Sequence, residues 1–315
     1  MHRPQAPRER RWTQHRWNNH LSLSLIRNIT PRLRGPLLHG AHWLTAAVCY
    51  AAMGRERRAS LANLRRVSSE RGLRLWRRSF ALFYNFSRFM VSRLDLPRLS
   101  TPQLLGRVVN LEEARSALRA ALDDGSGAVV ATAHLGNWEM GVRLLRLSDR
   151  PVHVVMMADG DGGIEREYER LRAVEGVHVH WLQDSPLLSV ELLAALRRGD
   201  LVALQADRDT GSTRLELPFF GAPAWLPLGP ACLARAAGVP ILPCFVLMES
   251  GRRLRVRVAP PIRVERSQDA AADLRAATQA VARAIEVAVS ERPDQWFNFY
   301  PVWPQDCSPS RAAKS

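Results

Sequence analysis

From about residue 108 the chain alternates between two kinds of segment. Short apolar runs at 128–132, 152–157, 177–181, 201–206 and 241–247 are separated by stretches of helical spacing at 111–122, 138–147, 164–174, 187–198 and 230–237. This alternation restricts the fold more than any other feature, because strands that trade off with helices assemble into a sheet covered by those helices. The expected class is α/β, with a central mixed sheet flanked by helices. At 254–258, Leu254, Val256 and Val258 alternate with Arg255 and Arg257. One face of that strand is therefore wet, which places it near a sheet edge. A final helix is expected over 270–291, followed by an aromatic-rich extended tail over 293–303 that packs back on the domain.

The segments upstream differ in character. Residues 1–30 read as a basic mobile arm. Residues 37–53 are the most apolar continuous stretch, and as a helix they would extend roughly 26 Å against a hydrocarbon core of about 30 Å. His39, His42 and Thr45 interrupt it, and arginines flank it on both sides. The expectation is a membrane-associating helix within 31–58, monotopic or barely spanning, with a buried core helix as the competing reading. Over 73–94, Trp76, Phe80, Phe83, Phe86, Met90 and Leu94 recur at helical spacing with arginines between them. That stripe suits either lipid or the main domain. The main domain is expected over 59–305 and a flexible tail over 306–315.

Charge narrows the partners. The formal net charge is +15, and of the 45 basic residues only Lys314 is a lysine. Such a balance points to an anionic partner: an acidic membrane surface, an acidic protein or nucleic acid. No nucleic-acid-binding motif accompanies it, so no nucleic acid is expected. The four cysteines, Cys49, Cys232, Cys244 and Cys307, are widely spaced without a CxxC pair, as expected of free thiols in a reducing compartment.

Two constellations carry chemistry. The first is His134-Leu135-Gly136-Asn137-Trp138-Glu139, between an apolar run and a helical segment. A carboxylate that holds one imidazole nitrogen leaves the other to face a substrate hydroxyl, which makes a general base without a protein nucleophile. With 9 His and 30 acidic residues, about one such spacing is expected by chance, so the context decides. Gly136 permits a tight backbone path and Asn137 can cap the following helix. The second is Gln205-Ala206-Asp207-Arg208-Asp209 at the carboxyl end of an apolar run, where open α/β sheets bind ligands. Its acids could instead form a structural ion-pair turn. Pro218-Phe219-Phe220-Gly221 and Leu226-Pro227-Leu228-Gly229-Pro230 read as punctuated loops that could wall an acyl-chain groove. GxSxG, P-loop and HExxH motifs are absent from the sequence.

In this order and spacing, and with Arg58-Ala59-Ser60-Leu61-Ala62-Asn63-Leu64-Arg65 ahead of them, these motifs resemble the lipid A late acyltransferases. That family lies within the lysophospholipid acyltransferase superfamily, which also holds the phosphatidylinositol mannoside acyltransferases. The resemblance covers roughly 37–305. It implies a membrane-associated enzyme on the cytoplasmic face of a bacterial inner membrane, with 59–305 as the acyltransferase domain. Such an enzyme moves a fatty acyl chain from acyl carrier protein or a coenzyme A thioester to a hydroxyl of a lipid or glycolipid. His134 would be the general base and Glu139 its orienting partner. Asn137, Asp207, Arg208, Asp209, Phe219, Phe220 and Gly221 would bind substrate. No metal and no cofactor beyond the thioester co-substrate is implied. The oxyanion would need donors such as backbone N–H groups near Gly136 or the Arg208 side chain. Two basic elements common among the lipid A enzymes are missing, at Val155-Met156-Met157-Ala158-Asp159 and at Gln295-Trp296-Phe297-Asn298-Phe299. The acceptor therefore stays open between a lipid A-type species, another glycolipid and a polyene-like lipid.

Overall fold

The computed structural model describes residues 35–122, 125–156, 176–182, 187–208 and 213–307. The strands are β1 (Ala128–Thr132), β2 (Val152–Met156), β3 (Val177–Trp181), β4 (Leu201–Gln205), β5 (Arg214–Phe219), β6 (Ala222–Pro227), β7 (Ile241–Met248) and β8 (Leu254–Val258). Six of them form one sheet in the order β3-β2-β4-β1-β7-β8. Its neighbours run parallel until β8, which pairs antiparallel with β7 at the edge, where the Arg-alternating pattern places it.

Nine α-helices are described. They are α1 (Gly35–Ala52), α2 (Gly54–Val67), α3 (Gly72–Asp95), α4 (Thr101–Leu105), α5 (Leu111–Ala121), α6 (Trp138–Leu145), α7 (Leu188–Arg197), α8 (Gly229–Ala237) and α9 (Ala270–Glu291). A parallel sheet buries both faces, and here the period-2 alternation divides them. Val129, Ala131, Val202, Ile241 and Phe245 pack in one cluster with α7, α8 and α9. Val130, Ala203 and Leu242 on the other face join a smaller cluster with Val142, Leu145 and Leu118 of α5 and α6.

The structure departs from several of these expectations. The region 31–58 is not one helix: α1 ends at Ala52, and α2 begins at Gly54 and runs to Val67. Among the described residues no helix is long and apolar enough to cross a membrane. Instead α1 lies against α3. His42 Nδ1 meets Ser87 Oγ at 2.9 Å, and Tyr50 packs edge-on against Phe80 and Phe83. On α3 Phe83 and Leu94 of the expected stripe are buried, with Leu75, Leu82 and Phe89 beside them, while Trp76 is 50% exposed, so the stripe turns only partly inward.

Of the loops expected at 218–221 and 226–230, the first is the tip of a β-hairpin, β5–β6, and the second leads from the end of β6 into α8. The hairpin's two-residue turn is Phe220-Gly221, with φ of 49° and 74°, the geometry that matches strand twist. The tail assigned to 306–315 begins docked: Arg66 holds Asp306 through two hydrogen bonds of 2.7 Å. The helix expected over 164–174 and the arm over 1–30 lie outside the described residues.

Candidate active site

β1 ends at Thr132, and the next residues thread between β7 and the C-terminal segment. The Gly136 N–H donates to Gln295 O at 2.9 Å, the Asn137 N–H to Val246 O at 2.6 Å, and the Phe297 N–H to His134 O at 2.8 Å. Gly136 has φ of 63°, and a Cβ there would stand 2.1 Å from Val246 O. No other residue fits that path. Asn137 then caps α6, its side chain accepting from the Met140 N–H at 3.2 Å and donating to Ser92 Oγ at 2.9 Å. The cap role read from the sequence holds, and these two bonds commit the side chain to the fold.

β4 ends beside β1 and delivers Asp207. Its carboxylate is fully buried and accepts four hydrogen bonds. These come from His134 Nδ1 at 2.8 Å, the His134 backbone N–H at 3.1 Å, Trp296 Nε1 at 2.9 Å and Asn298 Nδ2 at 3.2 Å. Burial alone would raise the Asp207 pKa. The field and hydrogen bond of His134, the charge of Arg208 and the bond from Trp296 outweigh it and hold the carboxyl well below its ordinary value. Being ionised, Asp207 can only accept, so His134 Nδ1 carries the proton. Burial, reinforced by the charge of Arg208, pushes His134 down to about 4 against the opposing pull of Asp207. The imidazole is therefore neutral at pH 7, with Nε2 bare.

The nitrogen that the sequence assigned to Glu139 is thus held by Asp207, 73 residues further along. Glu139 is buried in the first turn of α6, and its charge acts on His134 through space, favouring the protonated ring. Arg208 donates to Asn298 Oδ1 and to Phe297 O, both at 2.8 Å, and lies over the Tyr300 ring. Asp209 is outside the described residues. Phe219, Phe220 and Gly221 do not join the site, because they form the tip of the hairpin. Phe219 is fully buried between Trp303 and Trp296, and Phe220 also abuts Trp296. They brace the indole that holds Asp207. Of the backbone donors expected near Gly136 for an oxyanion, two are spent, since Gly136 and Asn137 both give their N–H groups to carbonyls.

Trp296 and Asn298 are the residues that sequence reasoning missed. The tail was expected to pack on the domain, but nothing local in it names its partner. The one available signal was Asn63 in the Arg58–Arg65 motif. Its side chain donates to Asn298 O and Tyr300 O and accepts from the Val302 N–H, which pins the tail.

Beside His134, with ring centroids 5.3 Å apart, stands Trp138, which packs on Phe89 of α3. Trp138 also lines an apolar cavity of about 70 Å³ between the sheet and α5 and α6, with Val130, Thr132, Ala203, Val246 and Leu118. α5 contributes no fully buried residue to this wall.

Residues 42–305 match the family described as bacterial lipid A biosynthesis acyltransferase. The chain is 29% identical over 231 residues to a phosphatidylinositol mannoside acyltransferase of Mycobacterium tuberculosis (strain ATCC 25618 / H37Rv), covering 73% of this chain and 71% of that protein. It is 30% identical over 198 residues to the phosphatidylinositol mannoside acyltransferase of Mycolicibacterium smegmatis, covering 62% and 63%.

Proposed function

The chain belongs to the bacterial lipid A biosynthesis acyltransferase family and is an acyltransferase; from that premise we propose that it is a membrane-associated O-acyltransferase that esterifies a hydroxyl of a glycolipid. The observation that carries this reading is the neutral His134, its Nδ1 proton given to Asp207, packed beside Trp138, which lines an apolar cavity. The acceptor hydroxyl presents its proton to His134 Nε2. Its oxygen attacks the carbonyl carbon of the acyl thioester, and the carbonyl π pair moves onto oxygen. When that pair returns, the C–S bond breaks, and the sulfur takes the proton from Nε2. The products are an ester and a free thiol, with no acyl-enzyme. Asp207 keeps the tautomer and steadies the imidazolium, and the charge of Glu139 assists it from α6.

The donor is acyl carrier protein or a coenzyme A thioester, and its acyl chain enters the cavity lined by Trp138. A phosphatidylinositol mannoside-like acceptor is favoured over lipid A, because the similar proteins bear that name and both basic elements of the lipid A enzymes are missing. Docking uses α1, whose Leu37, Trp43, Leu44 and Val48 are more than half exposed on a helix one layer from the site. The net charge of +15 suits the anionic cytoplasmic face of a bacterial inner membrane.

Mass spectrometry of lipids from cells with and without the protein tests the reading through the acyl increment on one species. His134→Ala should lower transfer about 10²- to 10⁴-fold, and Asp207→Asn comparably, with the protein still folded. Retention of more than about a tenth of the activity by His134→Ala contradicts a general base.

A further inference from the structure

Gln205 closes β4, in register with Thr132 of β1. Strand alternation puts its side chain on the same sheet face as Ala203, Val130 and Thr132, three residues of the cavity wall. The bonded pair His134 and Asp207 follows two residues beyond Thr132 and Gln205 on their respective strands. Gln205 thus lies in register with a residue of the cavity wall, on the same face and two residues before the Asp207 that holds His134. Gln205 Nε2 is buried and has no hydrogen-bond partner among the described residues. A buried amide donor is expensive to leave unmade, native proteins keep few of them, and a catalytic role is one of the reasons they are kept. Three backbone donors beside it cannot serve the same ligand: the N–H groups of His134, Gly136 and Asn137 are already given to Asp207, Gln295 and Val246.

We infer that Gln205 Nε2 is the donor that receives the carbonyl oxygen of the acyl thioester. The inference rests on the acyl-transfer reading and adds to it the group that meets the developing charge. The methylene chain lies among Val130, Ala203 and Val142, its carbonyl facing Gln205 and His134. As the acceptor oxygen bonds to the carbonyl carbon, the π pair moves to the oxygen facing Gln205. The amide N–H stays bonded to nitrogen throughout and tightens its hydrogen bond. As the pair returns, the C–S bond breaks and the thiol leaves with the proton from His134. A donor aimed at charge that exists only in the transition state lowers the barrier without tightening the ground state equally.

The experiment uses the full chain, with tetradecanoyl-CoA and tetradecanoyl carrier protein as thioesters. Phosphatidylinositol mannoside and a lipid A precursor serve as acceptors, and S-tetradecyl-CoA, which lacks the carbonyl, as the binding probe. Gln205→Leu should lose about 10²- to 10³-fold in kcat. Its affinity for S-tetradecyl-CoA should stay within about threefold, and its melting temperature should hold or rise because an unpartnered amide is gone. Gln205→Met, of similar length and without a donor, should behave alike and stands in if the leucine variant does not fold. Turnover within about threefold of wild type overturns the inference and leaves the acyl-transfer reading intact. So does a loss of S-tetradecyl-CoA binding in parallel with turnover, the mark of a packing role. A wild-type protein inactive with both thioesters and both acceptors overturns the reading and the inference together.

Discussion

Asp207 decides which nitrogen of His134 is bare, and the same arrangement sets the pH at which the base fails. A general base works only when unprotonated, so activity rises with pH through its pKa and then levels. Burial and the charge of Arg208 push His134 down to about 4. The acid limb of kcat/KM should therefore lie near pH 4, about two and a half pH units below that of an ordinary histidine, and a pH–rate profile reads it directly. Replacing Arg208 with Gln removes one of the two depressing causes and should move that limb towards neutral pH. A limb that stays put in Arg208→Gln would show that the cation does not act on the imidazole. The position of Glu139 carries a contrasting expectation. Because it touches His134 only through its field, Glu139→Gln should cost less activity than Asp207→Asn.

Two elements near the site, α5 and α1, carry apolar side chains that the fold does not bury fully. α5 covers the cavity yet buries none of its residues fully, so little holds it down. A chain that enters the cavity meets α5 as a wall with no fully buried residue to anchor it. Hydrogen exchange should show α5 amides exchanging fast in the free protein and slowing at least several-fold when S-tetradecyl-CoA binds. Unchanged exchange would place the chain elsewhere. α1 presents the other unused face. Trp43 and Leu44 are 55% and 62% exposed there, while His42 and Ala46 on its inner side are buried against α3. Each large apolar side chain that enters an interface contributes roughly 1.5–3 kcal/mol. Trp43→Ser with Leu44→Ser should thus weaken co-sedimentation with anionic vesicles at least about tenfold. The melting temperature should fall only slightly, because Leu44 faces outward and Trp43 gives up one ring contact, with Phe80 at 5.8 Å. Equal vesicle binding by the double variant would remove α1 from the docking surface.

At the scale of the whole chain, what the sequence discloses depends on distance. The strands β1, β3 and the helix α9 fall where periodicity puts them, because each is a local pattern against a buried face. The hairpin β5–β6 was hidden: Pro218, Pro223 and Pro227 lie within it and read as loop, while its turn needs a positive φ at Phe220, which no propensity favours. In the same way the His134 loop is legible as a contiguous motif. Its support is not, since Trp296 and Asn298 reach Asp207 across 89 and 91 residues through tertiary packing alone. That packing leaves a signature in stability. Each described histidine with a resolved shift, His42, His134, His153 and His180, moves down, with burial the largest cause in all four. A histidine held below its unfolded value binds its proton in the unfolded chain first, so folding stability falls as pH drops from about 6.5 towards 4. For His42 and His134, both brought from 6.5 to about 4, the loss is roughly 3 kcal/mol each, a large share of a typical total of about 5–15 kcal/mol. Urea midpoints should therefore drop steeply between pH 7 and pH 4.5. His42→Asn, which cannot titrate and lies away from the site, should flatten that drop measurably. If the midpoint is level across this window in the wild type, these imidazoles are not buried in their neutral form, and the bare Nε2 of His134 loses its physical basis.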